Sequence, residues 1–84
     1  MVNLMNELLN NIDKIHTTPM GVERIKRNLN INTDVVDYCI NIIKNKDTNI
    51  VKKGKNYYCS LDNMLITINN YSYTIITAHL IKKI

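Results

Sequence analysis

Apolar residues recur at helical spacing over the first half of the chain and alternate with polar ones over the last third. Met5, Leu8, Leu9, Ile12 and Ile15 share one side of a helix expected from about Val2 to Ile15, with polar residues opposite. His16-Thr17-Thr18 breaks that period, and Thr18-Pro19 supplies an N-cap followed by proline at the first helical position. A second helix is therefore predicted from about Pro19 to Leu29, burying Val22, Ile25 and Leu29 and exposing Glu23, Lys26 and Arg27. Asn30 to Thr33 reads as a turn. Thr33-Asp34 caps a third helix through about Lys44, whose broad stripe of Val35, Val36, Cys39, Ile40 and Ile43 suits a central position.

From residue 49 the period changes to two. Short strands are predicted at Ile50–Lys52, Asn56–Ser60, Met64–Asn69 and Ser72–Leu80. The turns fall at Lys53-Gly54, at Asp62-Asn63, and at Asn69-Asn70 or Asn70-Tyr71, where asparagine tolerates a positive φ. Helices followed by strands imply an α+β fold. Two to three N-terminal helices (1–45) pack on one face of a four-stranded antiparallel meander (49–82), in a single domain spanning 1–84. Two-residue turns keep flanking residues on one face. Cys59, Leu61, Met64, Ile66, Ile68, Tyr73, Ile75, Thr77 and His79 are thus expected beneath the helices. The opposite face gathers Tyr58, Ser60, Thr67, Asn69, Ser72 and Thr74, interrupted by Leu65, Ile76 and Leu80. Those three aliphatics suggest a contact with a protein partner or a second copy of the chain.

The bulk numbers narrow the class. Eighty-four residues with 45% hydrophobic content fit one small globular unit, not a disordered chain. No apolar run spans a bilayer, and Met1–Asn11 carries Asn and Glu where a signal peptide needs an apolar core, so a cytoplasmic protein without membrane contact is expected. Cys39 and Cys59 sit among apolar residues with no C-x-x-C pattern, which reads as buried thiols in a reducing compartment. The abundance of Asn, Ile and Lys, all specified by AT-rich codons, suggests a low-GC bacterium. The net charge of +4 is uneven: residues 1–43 hold four basic against five acidic side chains, residues 44–84 seven lysines against two aspartates. Lys44, Lys46, Lys52, Lys53 and Lys55 cluster where the last helix hands over to the sheet. Such a cluster holds phosphate or, equally, guards a sheet edge.

Candidate chemistry is sparse. No glycine-rich phosphate loop, nucleophile elbow or metal-ligand spacing occurs, and no cofactor or metal is expected; a zinc site from His16, His79, Cys39 and Cys59 would need four distant residues to converge. If the helix break meets the last strand near the second helix, His16, Arg24, Thr77 and His79 form a group able to cleave RNA without metal. One imidazole would take the 2′-hydroxyl proton, another group would protonate the leaving oxygen, and Arg24 would neutralise the phosphate. The alternative is structural, with His16 capping the helix junction and His79 satisfied by backbone. Lys52, Lys53, Lys55, Tyr58, Thr67 and Thr74 are the candidate nucleic-acid contacts. Tyr57, Tyr58, Tyr71 and Tyr73 lie near the basic cluster, where they either stack on bases or pack the sheet.

The strings Ile15-His16-Thr17-Thr18, Gly21-Val22-Glu23-Arg24-Ile25, Gly54-Lys55-Asn56-Tyr57-Tyr58 and Ser72-Tyr73-Thr74-Ile75-Ile76-Thr77-Ala78-His79 resemble a family of small uncharacterised bacterial proteins, over nearly the whole chain. More distantly, helices followed by a four-stranded meander are similar to the barnase–EndoU–colicin–RelE superfamily of ribonucleases and toxins. That resemblance implies histidine and arginine in the helical part and threonine or histidine on the last strands, positions that His16, Arg24, Thr77 and His79 match. The extra N-terminal helix departs from it. Three readings follow: an RNA-binding domain or toxin-type metal-independent endoribonuclease; a non-catalytic interaction or oligomerisation module; and a helix-turn-helix DNA-binding domain over Gly21–Lys44, against which Asp34 and Asp37 on the recognition helix count.

Overall fold

The computed structural model describes residues 4–81, with side chains from Glu7 onward. Helix α1 spans Leu4–Leu9 and a 3-10 turn follows at Ile12–Lys14. Helix α2 covers Pro19–Leu29 and α3 covers Val35–Lys44. Strands β1 (Asn49–Lys53), β2 (Asn56–Leu61), β3 (Met64–Asn69) and β4 (Ile75–Leu80) form one antiparallel sheet in the order β1-β2-β3-β4. The architecture is the expected α+β meander.

The helices begin and end where local chemistry directs. Thr18 Oγ1 accepts the Gly21 N–H at 3.0 Å ahead of Pro19, and Asn30 ends α2 in the left-handed region at φ 56°. Asp34 caps α3 by accepting the Asp37 N–H at 3.0 Å. The first helix is shorter than its apolar period predicts. The Asn11 N–H donates to the Leu8 carbonyl and its side-chain amide to the Glu7 carbonyl, so asparagine closes the last turn of α1. The expected start at Val2 and the side chain of Met5 fall outside the described part.

Leu8, Ile25, Leu29, Val35, Cys39 and Ile43 from the helices meet Ile50, Tyr57, Cys59, Ile66, Ile68, Ile75 and Ala78 of the sheet in one buried cluster. Helix α2 packs against β4 and α1 against β1. The first hairpin turns at Gly54-Lys55, one residue later than expected, with Gly54 at φ 59°. The last turn is longer than expected, running from Asn70 to Tyr73, with the Asn69 N–H donating to the Thr74 carbonyl and the Tyr73 N–H to the Asn69 carbonyl across its base. Four loop residues preserve parity as two would, so Ile75 still enters the core opposite Ile68.

One residue later the expected register fails. Thr67 pairs with Thr77, not Ile76, because Ile76 is an inserted bulge residue. A one-residue insertion sends every later side chain to the opposite face. Ala78 therefore takes the buried place expected of Thr77, while Thr77 and His79 move to the face away from the helices. Leu80 pairs with Met64 on the helical side, so Leu65, Ile76 and Leu80 do not form the single patch that the sequence suggests.

The outer edge of β4 is closed by the chain preceding α2 before the bulge and by α2 itself beyond it. His16 makes a parallel bridge to Thr74. Thr17 Oγ1 donates to the Ile75 carbonyl at 3.1 Å, and the Asn28 amide donates to the Ala78 carbonyl at 3.4 Å. Gly21 permits this closeness, since a Cβ there would lie 2.2 Å from Thr17 Oγ1. Gly21→Ala is accordingly expected to lower the melting temperature, although alanine gains about 1 kcal/mol of helix propensity over glycine. In a Thr17→Ala background the same change is expected to cost less, with Thr18 Oγ1 still 3.3 Å from the added Cβ. A double-mutant cycle reads this coupling directly, and additive effects would disprove the contact.

Candidate nucleic-acid interface

The face of the sheet away from the helices is organised in rows set by the register. Val51, Tyr58, Thr67 and Thr77 cross it in one row, and Asn49, Ser60, Leu65 and His79 in another. A third row, Lys53, Asn56 and Asn69, lies at the hairpin end. Asn56 donates to the Tyr58 hydroxyl at 3.2 Å, which fixes that ring over the strand. Thr67 sits between Tyr58 and Thr77 and is only 7% exposed, so it offers little contact surface.

The lysines divide between the two faces. Lys52 pairs with Tyr57 and turns toward the helices, where its ammonium meets Glu7 Oε1 at 3.2 Å. The Tyr57 hydroxyl donates to the same oxygen at 2.5 Å. The Tyr57 bond first, and the Lys52 contact second, hold the Glu7 carboxyl below its ordinary value. Burial, aided by Glu7, pushes the Tyr57 hydroxyl upward. Lys53 and Lys55 have no acidic partner among the described residues. Lys53, Gly54, Lys55, Asn56 and Tyr58 line a shallow open depression of about 580 Å³ at the hairpin tip.

The proposed catalytic residues are distributed along β4 and α2. His16 lies at the hairpin end of the sheet, with Nδ1 at 2.8 Å from the Lys14 carbonyl and Nε2 at 3.1 Å from Thr74 Oγ1. Thr74 in turn contacts Ser72 Oγ at 2.8 Å. Thr77 and His79 lie further along the strand on the open face, and His79 Nδ1 is 3.2 Å from the Leu80 carbonyl. His79 is five residues beyond the Thr74 that touches His16, a separation of roughly 16 Å along a strand. Arg24 is exposed on α2, lining a surface depression with Pro19, Met20, Glu23 and Arg27. Among the described residues no hydrogen bond or ion pair joins any two of the four.

Glu7 is the polar partner that the sequence did not disclose, because 45 and 50 residues separate it from Lys52 and Tyr57. Among the described residues no group of three or more His, Cys, Asp or Glu is placed to hold a metal ion, and no helix is long and apolar enough to cross a membrane. Compared with known proteins, residues 9–79 match a family model described as a protein of unknown function (DUF3781). No curated protein and no solved structure matches the chain.

Proposed function

The chain belongs to the DUF3781 family, and for it we propose single-stranded RNA binding at the hairpin end of the open sheet face. The observation that supports this reading is the separation of the lysines. Glu7 engages Lys52, whereas Lys53 and Lys55 extend beside Asn56 and Tyr58 with no acidic partner among the described residues. A groove that combines ammonium groups with an aromatic ring suits a phosphate backbone with unstacked bases. The setting is a bacterial cytoplasm, where buried free thiols such as Cys39 and Cys59 persist.

The distant resemblance that the order of elements bears to small ribonucleases and toxins would add that bound RNA is cut, with His16, Arg24, Thr77 and His79 as the groups that would do it. Metal-free cleavage uses a base and an acid on either side of one phosphate. His16 stands at the binding end and His79 roughly 16 Å away, so binding takes precedence over cleavage. Helix α3 suits a DNA-reading helix poorly, since Val35, Cys39 and Ile43 are buried and its start presents Asp34 and Asp37. An oligomerisation role loses its basis with the dispersal of Leu65, Ile76 and Leu80.

Fluorescence anisotropy with a labelled ten-nucleotide RNA tests the proposal across a salt series. Binding in the micromolar range at low salt is expected. Lys53→Glu combined with Lys55→Glu should weaken it at least tenfold and flatten its salt slope by about 1.4, since each single-strand phosphate contact contributes roughly 0.7. Absence of binding at 50 mM salt would sink the reading. The same RNA, resolved on a gel after prolonged incubation, shows whether cyclic-phosphate ends appear.

A further inference from the structure

The loop between β3 and β4 is built more firmly than a surface turn requires, and it displays an exposed aromatic residue. Tyr71 is 92% exposed and contributes nothing to the core. Its backbone is nevertheless held from both sides. Asn69 Oδ1 accepts the Tyr71 N–H at 2.9 Å, the Ser72 N–H at 2.8 Å and the Ser72 hydroxyl at 3.2 Å. Asn70 fastens the loop to the neighbouring hairpin: its side-chain amide donates to the Gly54 carbonyl at 3.0 Å and its N–H to the Lys55 carbonyl at 2.7 Å. Two turns that are distant in sequence are thereby joined into one surface.

Gly54, Lys55, Asn69, Asn70 and Tyr71 line an open depression of about 420 Å³. It shares Gly54 and Lys55 with the depression that ends at Tyr58. A chain crossing the hairpin tip therefore meets a tyrosine, a lysine and a second tyrosine in turn. An exposed ring on a fixed backbone loses little freedom when a flat ligand settles on it, since tyrosine has only two side-chain torsions to restrict.

We infer that Tyr71 is a stacking platform for an unpaired nucleobase of single-stranded RNA, with the Lys55 ammonium on the adjoining phosphate and the Asn70 latch holding the two in register. This rests on the RNA-binding reading above and gives it a second contact that the sheet face alone does not supply. Stacking on an aromatic ring is nearly independent of base identity and of salt, whereas a phosphate contact is salt-dependent. The two contributions can therefore be read apart.

The test is anisotropy with labelled decauridylate, using wild type, Tyr71→Ala, Tyr71→Trp and Lys55→Ala. Tyr71→Ala is expected to weaken binding roughly tenfold with an unchanged salt slope. Lys55→Ala should lower the slope by about 0.7. Tyr71→Trp should retain affinity, and its indole fluorescence should be quenched by RNA. Inorganic polyphosphate, which has no bases, should bind wild type and Tyr71→Ala equally. The fold is held constant, because a 92%-exposed side chain leaves the melting temperature unmoved. If Tyr71→Ala binds RNA as wild type does, the stacking role is wrong while RNA binding stands. If wild type binds no RNA, the broader reading fails and this one with it.

Discussion

Tyr57→Ala is expected to remove about 3–5 kcal/mol of folding free energy, the range for deleting a buried aromatic ring. A domain of 84 residues holds roughly 4–13 kcal/mol in total, so the variant loses a large share of its stability and unfolds outright at the low end of that range. Tyr57 has no solvent exposure and lies between two layers. Its ring centroid is 6.4 Å from that of Tyr73, and the Lys52 ammonium is 5.9 Å from its own. Its hydroxyl fastens α1 to the sheet through Glu7. Tyr57→Phe keeps the volume and removes only that bond. It is expected to cost about 1 kcal/mol, because Glu7 is partly exposed and retains Lys52. Urea titrations of the two variants separate volume from bond. A Tyr57→Ala protein within 1 kcal/mol of wild type would show that this ring does not join the layers.

That tyrosine also marks how far the sequence could be read. Alternation places Tyr57 on the helical side and Tyr58 on the open side, and the structure agrees. Charge clustering groups Lys52 with Lys53 and Lys55, and nothing in the sequence identifies the acid that Lys52 meets instead, since Glu7 is brought there only by the packing of α1 on β1. Helices α2 and α3 were legible to the residue because Thr18-Pro19, Asn30 and Asp34 act through local backbone bonds. The bulge at Ile76 was not. Ile75-Ile76-Thr77-Ala78 offers apolar residues in either phase, so the chain itself does not say which one is inserted. The consequence reaches the candidate site, for it turns Thr77 and His79 outward. The rigid display of Tyr71 was equally hidden: two asparagines ahead of a tyrosine indicate a turn, but only the neighbouring hairpin gives Asn70 something to hold.

The buried thiols lead to the second large effect, a loss of stability in alkali. Cys39 on α3 and Cys59 on β2 have no solvent exposure. Burial pushes each from an ordinary value of 9.0 up to about 12, and for Cys59 the neighbouring Cys39 adds to the rise. A group whose folded value is raised contributes its full stability below the unfolded value and loses it as pH climbs toward the folded one. The window here is pH 9 to 12. At pH 10.5 an unfolded thiol is almost wholly ionised while a buried one is not, which favours unfolding by about 2 kcal/mol for each cysteine. Roughly 4 kcal/mol for the pair approaches the lower limit of what such a domain possesses. Tyr57 acts in the same direction from its own ordinary value of 10.0, so removing the thiols should lessen the alkaline loss without abolishing it. Urea midpoints of wild type and the Cys39→Ala, Cys59→Ala double variant, measured with reductant between pH 8 and 10.5, check this. The double variant should start less stable, because two small cavities open in the core, and should then decline far less steeply. Parallel declines would mean that the thiols already ionise within the folded protein, and hence that the layer between α3 and β2 admits water.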